Sequence, residues 1–125
     1  MKLQPTTTTY DTPPNFLANE HFVALPEGIT IDYTTVPTAE DGLRVVEAGT
    51  AFGKITDTGL YGPYDIGAGD GREVGVGLTF YESDVTEGND TNSLVIHGII
   101  KEGALPEESG VDAAFKADAN GLIFV

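Results

Sequence analysis

The sequence predicts a mainly β, barrel-like domain with one short helix near its C-terminus and a flexible arm at its N-terminus. Three observations predict it. Short apolar runs recur between turn residues from position 21 to position 125, several alternating apolar and polar side chains. Helical spacing is confined to the stretch SGVDAAFKADANG, residues 109–121. Residues 1–20, MKLQPTTTTYDTPPNFLANE, carry four consecutive threonines and three prolines and show no apolar periodicity. At 125 residues and 40% apolar content the remainder fits one domain with a real core. The expected division is therefore an arm over residues 1–20 and a single β-rich domain over residues 21–125.

The arm has two readings. Such a composition suits a disordered tail. It also suits a docking element, because Thr6 to Tyr10 has high β-propensity and can add a strand to a sheet edge on a partner. Pro13 and Pro14 would end that strand, since proline cannot donate to a ladder.

The first strands are expected at HFVAL, GITIDY and LRVVE, residues 21–25, 28–33 and 43–47. Ile29 and Ile31 alternate with Thr30 and Asp32, the period of a half-buried strand. Pro37 and Gly42 punctuate the loop between the second and third strands. AFGKIT, residues 51–56, is the next strand, and Asp57-Thr58-Gly59 turns the chain into LYGPYD. The loop GAGDG, residues 67–71, follows. In the strand after it Val74, Val76, Leu78 and Phe80 are expected on a core face, with Gly75, Gly77, Thr79 and Tyr81 opposite. The two glycines either permit sharp curvature or admit another backbone, and the second option makes Gly75 and Gly77 candidates for a subunit contact.

SLVIHGII, residues 93–100, is apolar on both faces and reads as a strand covered on two sides. Beyond LPEE, residues 105–108, Val111, Ala114, Phe115 and Asp118 share one helical face. Ser109 and Asp112 have the spacing of a capping box, and Asn120-Gly121 supplies a left-handed stop. LIFV closes the chain as a terminal strand.

Composition excludes several functions. There are 20 acidic residues against 6 basic ones, a formal net charge of −14. Nucleic-acid binding draws its affinity from Lys and Arg neutralising phosphates, so no nucleic-acid partner and no anionic membrane is expected. No apolar run is long enough to span a bilayer, and residues 1–20 lack the pattern of a secretory signal. Cysteine is absent, which removes disulfides, thiolate metal sites and cysteine nucleophiles, and suits assembly in a cytoplasm.

No catalytic residue emerges. His21 and His97 are the only histidines, and His97 is expected to be a hydrogen-bonded structural residue because no serine or carboxylate partner adjoins it. Nucleophile-elbow, zincin and phosphate-loop patterns are missing. The carboxylates around the glycine loop (Asp65, Asp70, Glu73) and in ESDVTEGND (Glu82, Asp84, Glu87, Asp90) are of a kind that hard cations use, but their spacing does not match an EF-hand. They read as solvated loop charge, and no metal or cofactor is expected. Tyr61, Tyr64 and Tyr81 lie in different strands. A carbohydrate-binding platform built from them is the alternative to a protein-binding role.

The ordered set AGTAFGKI, GLYGPYD, REVGVGLTFYESDV, SLVIHGIIKEGALPEE, a short helix and GLIFV resembles the head decoration proteins of tailed bacteriophages, the family of lambda protein D. The resemblance runs from Gly49 to Val125. GLYGPYD is similar to the family's strand ending in an aromatic–aspartate turn, VIHG to its central strand and LPEE to its loop before the helix. The chain differs in having Tyr64 where the family often has Trp, in the longer GAGDGRE loop and in residues 21–47.

The resemblance implies a non-enzymatic β-tulip protein that forms homotrimers on the outer surface of the expanded capsid. It implies that the major capsid protein is the partner, and that the protein is made in the host cytoplasm and resides in the virion. It also implies that the arm, Leu3, Gln4, Pro5, Thr6, Thr7, Thr8, Thr9 and Tyr10, docks on the capsid, so that the trimer cements the head against the pressure of packaged DNA.

Overall fold

A computed structural model describes residues 15–125. The expected arm, Leu3 to Tyr10, lies outside the described residues. The chain enters its core at once: Phe16 is buried, and strand β1 runs over Leu17–Ala24. The boundary drawn at residue 20 thus falls inside β1.

The strands that follow are β2 (Ile29–Ile31), β3 (Val45–Val46), β4 (Ala51–Lys54), β5 (Tyr61–Pro63), β6 (Gly75–Thr79), β7 (Ser83–Asp84), β8 (Asp90–Asn92), β9 (Leu94–Ile100) and β10 (Leu122–Phe124). One helix, α1, spans Ala113–Asp118. Single 3-10 turns occupy Tyr33–Thr35 and Glu102–Ala104. The strands form a curled, half-barrel sheet in the order β1-β9-β6-β4-β5-β2-β8, and β3 and β7 form a separate pair. β10 runs parallel to the second half of β9, beyond the point where β6 leaves it. Among the described residues no helix is long and apolar enough to cross a membrane.

Two apolar clusters sit on opposite sides of the sheet. Ala51, Leu78, Val95, Ile100, Phe115 and Leu122 belong to one, with Phe16 and Leu17. Ile29, Ile31, Phe52, Val85 and Leu94 belong to the other. Sequence neighbours Ala51 and Phe52, and again Leu94 and Val95, divide between the clusters because side chains alternate across a strand. The centre of the sheet is thus covered on both faces, as expected for the start of SLVIHGII. Further along β9 the outer face opens. His97 is exposed, which corrects its expected place as a structural histidine.

The expected faces of β6 need correction. Phe52 pairs with Gly77 and Gly53 with Gly75, so one step in β4 opposes two in β6 and Val76 is the extra residue of a bulge. A bulge shifts the alternation by one residue. Val74 is accordingly exposed and Val76 packs toward the second cluster, whereas Leu78 faces the first. Thr79, expected on the far face, is fully buried. Its hydroxyl donates to the Glu47 carbonyl at 2.9 Å and accepts from the Thr50 N–H at 3.0 Å. Both polar functions are thereby satisfied, as burial requires.

The helix also differs in its ends. Asp112 is the N-cap, its Oδ1 accepting from the Phe115 N–H at 2.8 Å, while the Ser109 hydroxyl accepts from Val111 N–H at 3.3 Å. The helix therefore starts later than a Ser109 cap would require. Gly121 is not left-handed. It is needed for a close approach instead, since a Cβ there would lie 2.5 Å from the Ile96 carbonyl oxygen of β9.

Candidate partner-binding surface

The residues that sequence reasoning tested for chemistry do not converge. His21 and His97 meet edge to face with ring centroids 5.7 Å apart on the exposed side of β1 and β9. Among the described residues no serine or threonine hydroxyl is bonded to either ring. Among the described residues no group of three or more His, Asp or Glu is placed to hold a metal ion.

The loop carboxylates serve the turns that carry them. Asp65 accepts from the Gly67 N–H at 3.0 Å, and Glu73 from the Gly71 N–H at 2.9 Å. Asp70 accepts from the Arg72 N–H at 3.1 Å and pairs with the Arg72 guanidinium at 3.0 Å. Those bonds, the backbone one first, hold its carboxyl below the usual aspartate range. Asp84 is held low in the same way by the hydroxyl and N–H of Thr86. Short carboxylates bonded to the backbone two residues on are a standard device of tight turns. The acidic ESDVTEGND run contains β7 and leads into β8 at Asp90: β7 pairs with β3 and β8 with β2. Asn92 joins them, its amide donating to the Tyr81 carbonyl at 2.9 Å and the Ser83 hydroxyl at 2.7 Å.

The tyrosines do not make a platform. Tyr64 is buried edge-on against Phe115, with centroids 5.4 Å apart, and among the described residues its hydroxyl has the Asp112 carboxylate near it but no partner in good hydrogen-bond geometry. Burial first, then the Asp112 and Asp118 carboxylates, push its ionisation upward. Tyr81, just beyond β6, packs edge to face on Phe80 with centroids 4.7 Å apart and is not in contact with Tyr64's ring.

Gly75 and Gly77, expected as a subunit contact, are both buried within the chain. A Cβ on Gly75 would collide with the Phe115 ring, and one on Gly77 with the Val95 carbonyl oxygen of β9. The close approach at these glycines is made by the chain's own helix and strand.

What remains is a surface that presents strand edges and the root of the N-terminal segment. β1 ends the sheet path, and its outer edge has no partner among the described residues. Its ladder with β9 is irregular at two places, which makes a poor template for indiscriminate edge pairing. The root itself is packed into the body. The Lys101 N–H donates to the Phe16 carbonyl at 2.7 Å, and the Phe16 ring fills the space beside Gly49, Leu105 and Pro106. Sequence reasoning missed Phe16 as an anchor because its apolar pair with Leu17 was counted with the polar arm. The signal was there: two prolines followed by Asn15 and an apolar pair mark the start of a packed segment.

A family model described as bacteriophage lambda head decoration protein D matches residues 12–121. No curated protein and no solved structure matches the chain.

Proposed function

The chain belongs to the family of the bacteriophage lambda head decoration protein D, and from that premise we propose that it cements the expanded phage head from outside. Capsid decoration is the role that the family carries, a structural role in the virion and not an enzymatic one. In the finer reading three copies form a trimer on the outer capsid surface, and each docks its arm, Leu3 to Tyr10, on the major capsid protein by strand addition. The observation that carries the reading is the family match over nearly the whole described body, a β scaffold without converging catalytic groups.

Physical chemistry supports the division of labour. An arm that orders on binding loses conformational freedom at that moment, so a single arm binds weakly. Three arms on one trimer make the later contacts intramolecular, which raises avidity by about 10²–10⁴. The buried Phe16 ties the residue after the arm into the sheet, which suits a body that holds the arm's attachment. A net charge of −14 keeps the protein off packaged or free DNA, so its partner is protein.

The test is to mix the purified protein with expanded, undecorated capsids and examine them by electron microscopy, using the full chain and a chain lacking residues 1–14. The full chain is expected to appear as three-lobed density on the outer surface and to raise the temperature of capsid disruption. The shortened chain, retaining Phe16, is expected to fold but not to coat. Equal coating by both removes the arm from the reading, and no coating by either removes decoration.

A further inference from the structure

His21 of β1 and His97 of β9 are both exposed, and their ring centroids lie 5.7 Å apart. An irregularity in the ladder brings them together. Phe22 pairs with Gly98 and Val23 with His97, but the next pair along is Leu17 with Ile100. The five steps from Leu17 to Phe22 thus oppose the two from Gly98 to Ile100, and residues 18–21 bulge from the edge strand. Gly98 has a φ of 152°, and a Cβ there would lie 3.4 Å from the His21 carbonyl oxygen. That close approach sets the His21 backbone beside the residue that follows His97. Within the bulge the His21 N–H donates to Asn19 Oδ1 at 3.0 Å.

Among the described residues no hydrogen bond or ion pair engages a ring nitrogen of either histidine. A zinc ion held by imidazole nitrogens at about 2.0–2.1 Å lies about 3.2 Å from each ring centre, so two such centres sit about 5.2 Å apart at a tetrahedral angle. The observed separation is larger by only about 0.5 Å. The rings meet at 80°, so one must turn for a nitrogen of each to face a common point. The second side-chain torsion of histidine is broad, and exposed side chains change rotamer freely. Imidazole selects zinc, copper and nickel over magnesium and calcium. A net charge of −14 raises the concentration of any cation at the surface.

We propose that His21 and His97 chelate one late first-row divalent ion, zinc or copper, across β1 and β9. No third His, Asp or Glu joins them among the described residues, so water fills the remaining positions and the ion exchanges readily. Bound there, it ties the edge strand to the sheet where the backbone ladder slips. The inference concerns the folded body and does not rest on capsid decoration, so either can fail alone.

The test is calorimetric titration of the full-length protein with Zn²⁺, and with Mg²⁺ as the control. One Zn²⁺ per chain is expected, with no matching Mg²⁺ binding. His21→Ala and His97→Ala should each weaken Zn²⁺ binding about tenfold or more, and the two losses should not add, because either one removes the chelate. Zn²⁺ should raise the melting temperature of the parent and of neither variant. Both side chains are exposed, so without metal the variants should melt with the parent. Cu²⁺, as a paramagnetic probe, should broaden the Phe22 and Gly98 amides first. Unchanged Zn²⁺ affinity in both variants assigns the ion to surface carboxylates and overturns the proposal. Losses that add mean two separate one-histidine sites and overturn it equally. One ion per two chains, with a doubled mass in sedimentation, places the two rings on different molecules and overturns the chelate within one chain.

Discussion

The Phe115 ring rests against Gly75 so closely that a β-carbon on Gly75 would collide with it. The Gly75 N–H donates to the Asp118 carboxylate at 3.1 Å, so α1 is held to β6 by a packed ring and a hydrogen bond at once. The glycine is what lets the helix lie this low on the sheet.

Gly75→Ala should therefore cost about 1–3 kcal/mol, the range for overpacking a full core. Urea denaturation checks it. In a Phe115→Ala background the same substitution should cost much less, because the two side chains compete for one space. Equal costs in both backgrounds would show that the collision is not the cause.

Phe16 is 1% exposed and anchors the start of the described chain. Phe16→Ala should lose about 3–5 kcal/mol of unfolding free energy. Amide exchange should also accelerate at Lys101, whose N–H is bonded to the Phe16 carbonyl.

Asp112 both caps α1 and faces Tyr64. Asp112→Ala should cost about 0.5–2 kcal/mol through the lost cap. Asp112→Asn should keep most of that stability but let Tyr64 ionise at lower pH, since an amide caps without the charge. Ultraviolet titration of the tyrosines separates the two effects.

Tyr64 ionises above the ordinary tyrosine value of 10.0 in the folded protein. The unfolded chain then releases its proton first as pH rises. Stability is fully present below pH 10.0 and declines as pH climbs from there toward the folded value. Tyr64→Phe should flatten part of that alkaline decline. Its melting temperature at pH 7 should match or exceed the parent's, because among the described residues the buried hydroxyl it removes has no well-formed hydrogen bond.

At the acid end the sign reverses. Asp70 and Asp84 are held below the ordinary value of 3.8 by bonds that exist only in the fold. Their contribution is present above that value and is lost as pH falls through the lowered folded ones. Asp70→Asn and Asp84→Asn should each make melting temperature less sensitive to pH below 4, measured by calorimetry, with little change in slope near neutrality.

Much of the architecture was legible because alternation and turn chemistry are local. Ile29 and Ile31 announced β2, and the apolar run at Leu94–Ile100 announced β9 together with the cover on both faces at its start. The acidic ESDVTEGND run hid β7 and β8. Strands of two and three residues leave almost no periodic signal, and these are specified by their pairing with β3 and β2. For Gly75 and Gly77 the sequence offered curvature or a subunit contact, and in the fold the chain's own Phe115 ring and Val95 carbonyl lie against them. Which backbone or ring approached them was not readable, since that depends on the strand order.

By itself the sequence determined the strand-rich body, the single helix near the end, the excess of acidic residues and the distinct composition of residues 1–20. These follow from side-chain chemistry within windows of a few residues. Only the tertiary structure decided that Val76 is a bulge, that Phe115 occupies the space above Gly75, and that the Phe16 ring packs beside Gly49 and Pro106. Each depends on contacts between segments distant in sequence, and no local pattern encodes a neighbour until the sheet has brought it there.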